Sequence, residues 1–387
     1  MKFYTIENLN PGMRLARPIY NKKGVLLYDR GLILNDQTIK NIGNFNLIGV
    51  FVLDAAEPLP PISDEQRLLE MLQTKYLFTL RDCLVAISKG RMLPDFFEMV
   101  AEITENYGTD HSPIPFTQLI RGTEDYIYKH SVCTAILCAM IAGKMGLSTA
   151  RIRDLAAAAL LADFGYLYLP RQVTSKPEDE WSAADTVSVE QYRRKAFELI
   201  KPDTNPYLLS GVTLQVLRES LQINRVEDPT LDTSKWQELT KVLMVADKYD
   251  RMTAMSLTHS PESAIAAYHH MKDQSILYDK RIVRALGEAI EIVSPGQSIR
   301  LNTKTPAIVL YDADDDPDRP VLLDLATNQL IDLSEAKTRG VLEIADVMEF
   351  MDQRYDFDEE TLKQFVPDPD LTIAAEKIRK GFAKARK

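Results

Sequence analysis

Apolar residues recur at helical spacing through the middle of the chain. From Glu65 to Ser88, Leu68, Leu72, Tyr76, Leu80, Leu84 and Ile87 fall on one face and predict a single long amphipathic helix. That face can pack against the next domain or form the seam of a homodimer, and both readings stay open. Residues 94 to 293 read as all-helical. Thr123 can cap a helix through Met145, and Ser148 one through Asp163. Further helices are expected from about Ser188 to Ile200, from Val212 to about Gln222 and from Trp236 to Met255. Ser260-Pro261-Glu262 should start another, with proline at the first helical position.

The two ends are patterned differently. Pro11-Gly12 and Asn21 to Gly24 are turn signals around the alternating stretch MRLARPIY and the strand-like GVLLY. Asn35 or Asp36 can cap a short helix, and LIGVFVLD closes the unit as a strand. SIRLNT, PAIVLYD and RPVLLDL read as β again, and helical patterns resume after Ser334. The fold class is therefore mainly α. Residues 1–55 form a small β-rich module, and 56–93 a proline-rich linker (EPLPPISD) followed by the long helix. Residues 94–295 form an all-helical domain, and 296–387 a β-like segment with a helical, basic tail, AAEKIRKGFAKARK. That tail is either a solvated helix or a contact for an acidic partner.

Composition narrows the function classes. The balance of 46 basic against 56 acidic residues gives a net charge of −10, which argues against a nucleic-acid binder. Cys83, Cys133 and Cys138 cannot all pair with one another, so a cytoplasmic, reducing setting is expected. MKFYTIENLNPG lacks the apolar core of a signal peptide. The longest apolar run, VCTAILCAMIAG, is too short to span a bilayer and is expected as a core helix.

Phasing the helices aims three polar groups into the core. Asp163 lies one turn from Ala159 and Leu160. Asp247 follows Leu243 and Leu239 at four-residue steps, and His130 shares a face with Ile127, Thr134 and Leu137. A buried carboxylate without a partner is costly, so these groups should meet each other, water or a cation.

YIYKHSVCTAILCAMIAGKMGLS, LAAAALLADFGYLYLP and KVLMVADKYDRMTA resemble three landmarks of the HD phosphohydrolase superfamily. They are most similar to its HD-GYP branch, the bacterial cyclic di-GMP phosphodiesterases. LNPGMRLARPIYNKKGVLL and SPGQSIRLNTKTPAIVLYDADDDPDRPVLLDL resemble the segments that flank that domain. The resemblance makes His130 the first metal ligand, Asp163 the Asp of the His-Asp pair, and Asp247 the last Asp. It also exposes departures. Ala162 stands where the His of the pair belongs, and Tyr166 where the family has Lys. The helix histidine falls at Tyr192, and a His-His pair at Leu217-Arg218. NRVEDPTLD replaces the Gly-Tyr-Pro loop. No histidine lies between His130 and His259, an interval from which the family draws four such ligands.

The resemblance thus implies a degenerate member without the two-metal clamp that phosphodiester hydrolysis uses. It would be a catalytically inactive regulatory protein that acts on a protein partner, or on a cyclic di-nucleotide held without hydrolysis. Three readings of His130, Asp163 and Asp247 stay open: a hydrogen-bonded relic with imidazolium at its centre, one weakly held iron or manganese serving a residual phosphohydrolase, or a repurposed ligand pocket. Arg193, Arg194 and Arg218 are candidate phosphate contacts, since guanidinium forks suit phosphate oxygens. His269-His270 is expected at the surface. The acidic stretch from Asp312 lacks the glycine and glutamate of a calcium loop, with Pro317 and Leu323 in their places.

Overall fold

A computed structural model describes residues 2–45, 49–53, 59, 62–109, 111–116, 118, 121, 125–174, 176, 180–200, 209–223, 232–254, 261–311 and 318–347. The N-terminal module holds strands β1 (Lys2–Thr5), β2 (Arg14–Leu15), β3 (Ile19–Tyr20), β4 (Leu26–Tyr28) and β5 (Gly49–Leu53), with helix α1 (Asp36–Gly43) between β4 and β5. The sheet order is β1-β5-β2, all antiparallel, and β3 and β4 pair separately. Asn35 caps α1 by accepting from the Thr38 amide. Leu15, Leu34, Ile42 and Val52 fill a small core of their own.

Helix α2 (Asp64–Ile87) starts at Ser63, whose hydroxyl accepts from the Gln66 amide. Leu72, Tyr76, Leu80, Leu84 and Ile87 are buried in the main core, next to α3 (Pro94–Tyr107) and α4 (Tyr126–Lys144). The face offered as a homodimer seam is therefore used within the chain. Leu68 alone of the six predicted positions stays outside, 42% exposed.

The helical domain continues with α5 (Thr149–Ala162), the short α6 (Arg171–Thr174), α7 (Ala183–Ile200), α8 (Gly211–Ser220), α9 (Glu238–Thr253), α10 (Ala264–Asp273) and α11 (Lys280–Ala289). Helix α4 is its axis and packs against α2, α3, α5, α9 and α11. Every residue from His130 to Gly143 is buried, because α4 is apolar almost all round and rich in small residues that admit close neighbours. At Gly143 an added Cβ would meet the Thr109 carbonyl oxygen at 2.8 Å. Among the described residues α4 is the one helix long and apolar enough to cross a membrane, and 83% of that stretch is buried in the protein. Cys83, Cys133 and Cys138 are buried thiols outside any disulfide.

Predicted helix boundaries hold to within a few residues, with two displaced starts: α7 begins at Ala183, five residues before Ser188, and α10 begins later than expected. Ser263 rather than Ser260 caps α10, its side chain accepting from the Ala266 amide, and Pro261 precedes the helix. Strands β6 (Ser298–Leu301), β7 (Pro306–Tyr311), β8 (Val321–Asp324), β9 (Leu330–Asp332) and β10 (Ile344–Val347) form an antiparallel sheet of order β10-β6-β7-β8-β9. Ile299, Leu301, Ala307, Val309 and Leu322 join the helical core, and α10 lies against β10. The chain as a whole is thus not all-α. The helical pattern expected after Ser334 gives turns and then β10, because Ile344 pairs across to Leu301 and tertiary pairing overrides local propensity. Thr123, His259, the acidic stretch 312–317, most of NRVEDPTLD and the basic tail lie outside the described residues.

Candidate functional site

Four helices converge on His130. Helix α4 carries Tyr126 and His130 one turn apart, and their rings stack with centroids 5.6 Å apart. Asp163 follows the last residue of α5, just before a 3-10 turn over Phe164–Tyr168. Gly165 lets that turn press onto α7, since an added Cβ would lie 2.5 Å from the Arg193 Cα. This close approach brings Arg193 to Asp163. Helix α9 presents Asp247, Asp250 and Arg251, spaced i, i+3 and i+4 and so on one side. The start of α9 is held by Glu219 of α8, which accepts from the Gln237 amide at 3.0 Å and from the Thr240 hydroxyl.

His130 is buried with both ring nitrogens facing carboxylates. Nε2 lies 3.1 Å from Asp163 Oδ2 and 2.9 Å from Asp247 Oδ1, and Nδ1 lies 2.5 Å from Asp250 Oδ2. Carboxylates only accept, so the ring must donate from both nitrogens and is imidazolium. Burial lowers its pKa and Arg251 lowers it further. Tyr126 and the hydrogen bonds to Asp163 and Asp247 outweigh both, leaving it well above 6.5.

Three guanidinium groups complete the cluster. Arg251 donates from Nε to Asp247 Oδ2 at 2.9 Å, from Nη2 to Asp163 Oδ2 at 2.7 Å and from Nη1 to the Tyr126 hydroxyl at 2.9 Å. Its guanidinium also lies 5.8 Å from the centre of the Tyr166 ring. Arg193 reaches Asp163 Oδ1 at 3.2 Å and the Ser220 carbonyl at 3.0 Å. Arg121 grips both oxygens of Asp250, at 2.5 and 2.6 Å, and is 1% exposed. Burial would raise the Asp163 pKa, but Arg251, Arg193 and His130 hold it down to about 2. Asp247 and Asp250 are held below the ordinary carboxylate range against the same burial, mainly by Arg251 and by Arg121 respectively. Four cations thus meet three anions.

The inward phase of His130, Asp163 and Asp247 read from the sequence is realised, and the structure brings the three together. Of the three candidate phosphate contacts, Arg193 reaches the cluster but is buried and bonded to Asp163. Arg194 and Arg218 are exposed on the outer faces of α7 and α8, because the neighbour of an inward helical residue points away from the core. Tyr126, Arg121, Asp250 and Arg251 were missed. Tyr126 is one turn before His130, and Asp250 and Arg251 lie one turn after Asp247, so helical phase could have found those three. Arg121 has no local signal. Where the family's other histidines would stand, Leu217 is buried in the apolar core and Tyr192 lies under Lys195, 5.2 Å from the ring centre. Ala162 is the half-buried end of α5.

The profile of the family described as "HD domain" matches residues 116–282. That stretch of the chain is similar to an HD domain. The chain is similar to the cyclic di-GMP phosphodiesterase PdeB of Borreliella burgdorferi, 22% identical over 225 residues, or 57% of this chain and 58% of that protein. It thus spans less than two thirds of that relative. It is also similar to a solved structure, Bd1817, described as a HDG"Y"P protein from Bdellovibrio bacteriovorus, at 12% identity and a TM-score of 0.41 over 74% of this chain and 97% of that one.

The branch that the sequence resembles holds metal, and the residues gathered around His130 do not fit one. One ligating atom from each of His130, Asp163 and Asp247 lies within 4.8 Å of the others, a spacing small enough for an ion. Asp163 and Asp247 already serve His130 and Arg251, and His130 is itself a cation. A ligating histidine must offer a lone pair, which an imidazolium bonded at both nitrogens lacks. Arg251 binds the two carboxylates that a metal would share, and a divalent ion there would sit against its positive charge.

Proposed function

We propose that this is a non-hydrolytic, HD-GYP-like regulatory protein of the bacterial cytoplasm. In it an arginine–carboxylate cluster stands where the branch's metal chemistry would be carried out. The helical scaffold remains, and the protein works through contacts with a signalling partner or by holding a cyclic di-nucleotide without cleaving it. What carries the reading is Arg251, whose guanidinium bridges Asp163 and Asp247 beside a doubly bonded His130. Without a metal there is no Lewis acid on the phosphodiester and no metal-bound water poised near neutral pH. The absence of histidine from 131 to 258 supports the same conclusion.

The alternative is a residual phosphohydrolase using one iron or manganese at His130, Asp163 and Asp247. The 4.8 Å grouping of their ligating atoms is what favours it. Elemental analysis of protein purified without chelator and without oxygen, followed by a cyclic di-GMP hydrolysis assay with added Mn2+ or Fe2+, separates the two. The expected result is sub-stoichiometric metal and no turnover. Stoichiometric metal with sustained hydrolysis would restore the enzyme reading.

A further inference from the structure

The geometry points to Arg251 as a built-in cation: its guanidinium occupies a latent divalent-metal site formed by His130, Asp163 and Asp247, and removing it turns the cluster into a metal-binding one. The inference rests on the non-hydrolytic reading and deepens it, by naming the single residue that keeps the site from holding an ion.

Arg251 is singled out by its contacts. Arg121 bonds Asp250 and Gln118 and lies over the Tyr126 ring. Arg193 serves Asp163 and a backbone carbonyl. Arg251 alone bonds both Asp163 and Asp247, and the other oxygen of Asp247 and the same oxygen of Asp163 face His130 Nε2. A cation that touches those two carboxylates is therefore placed beside all three groups. Arg251 and Asp247 are also the part of the cluster nearest solvent. Each side chain is 12% exposed, against 2% for His130 and 4% for Asp163. Truncating Arg251 leaves space that opens outward, so an ion can enter.

The rest of the cluster supplies what a metal ligand needs. Metal-bound histidine normally donates its other ring N–H to a carboxylate, which fixes the tautomer and raises the basicity of the ligating nitrogen. Nδ1 of His130 already donates to Asp250 in this way, and Arg121 grips Asp250 from behind. With Arg251 gone, two carboxylates face each other with less positive charge between them. A divalent ion that displaces the Nε2 proton to solvent adds one net positive charge between them and so offsets that repulsion. One imidazole nitrogen and two carboxylates, with water completing the shell, suit manganese, iron or zinc.

The test uses the full chain with Mn2+ and Zn2+ as probes. Wild type, Arg251→Ala, Arg251→Lys and the double variant Arg251→Ala with Asp163→Asn are compared by thermal midpoint and by metal content after gel filtration. The expected result is a rise of several degrees in the Arg251→Ala midpoint on adding Mn2+ or Zn2+, reversed by EDTA, with a stoichiometric ion retained. Wild type and Arg251→Lys, which keep a cation in place, should show neither effect, and the double variant should lose the gain. An Arg251→Ala chain that folds only with metal supports the inference. One that folds without retaining metal, or stays unfolded with metal present, overturns it. So does a wild type that shows the same metal-dependent rise. Hydrolysis of cyclic di-GMP by wild type would instead sink the proposed function, so the two failures are distinguishable.

Discussion

His130 and His269 each bond an aspartate, and their surroundings differ in nearly every other respect. His130 lies inside four helices, with a carboxylate at each ring nitrogen and three arginines around those carboxylates. His269, on α10, uses Nε2 to bond Asp318 Oδ2 at 2.8 Å, and Lys272 shares that carboxylate at 3.0 Å. There the histidine side chain is 25% exposed and the lysine 40%. The pair of residues expected at the surface is in fact half-buried, and His269 ties α10 to the residue that leads toward β8. The first cluster must satisfy all of its charges internally, because water is excluded. In the second the carboxylate is also buried, 5% exposed, but its two cationic partners reach solvent. The same two residue types therefore make a closed charge network in one place and a latch open to solvent in the other, and the burial of the cations is the variable that separates them.

The largest effect should come from opening the closed network. Asp250→Ala leaves Arg121 and Nδ1 of His130 without their acceptor in a site from which water is excluded. A loss of about 3–5 kcal/mol is expected by urea unfolding. A loss below about 1 kcal/mol would put the buried cluster in the same energetic class as the latch.

A pH titration of stability tests the imidazolium next. The folded-state pKa of His130 lies above 6.5, so its contribution is complete below about pH 6.5 and is lost as the pH rises through the folded value. The aspartates act with the opposite sign. Their contribution is present above about pH 3.8 and falls away as acid brings the pH towards about 2, the folded value for Asp163. Stability should therefore decline on the alkaline side of about pH 6.5. His130→Gln should flatten that slope while leaving an acid limb.

The latch should give less. Asp318→Ala removes an acceptor shared by a half-exposed histidine and an exposed lysine, so a cost of about 1 kcal/mol is expected in the same unfolding assay. The smallest effects belong to Arg194→Ala and Arg218→Ala. Both side chains point outward, and each change should fall within about 0.5 kcal/mol. A larger loss of stability from either would mean that α7 or α8 carries a contact on its outer face.

Much of the helical domain was legible in the sequence, and particular residues show why. Leu72, Tyr76, Leu80 and Leu84 pointed to one buried face because a helix repeats locally, and the same periodicity turned Asp163, Asp247 and His130 inward. It failed at Arg194, which follows the buried Arg193 in a basic run, and at Arg218, which follows the buried Leu217. The C-terminal end misled for another reason. Residues 344–347 form a strand because they pair with β6, more than forty residues earlier in the chain, and no local preference reveals such a partner.

What the sequence determined by itself was that three polar groups would be driven into an apolar core, where each would require a partner. Period and burial follow from a residue's near neighbours along the chain. What only the tertiary structure decided was the nature of the partner. Arg121 meets Asp250 across 129 positions, and Arg251 meets Asp163 across 88. A charge buried in a medium of low dielectric pairs with whichever opposite charge packing brings within reach. Here packing brought guanidinium groups, and that choice is written in how α4, α5, α7 and α9 meet.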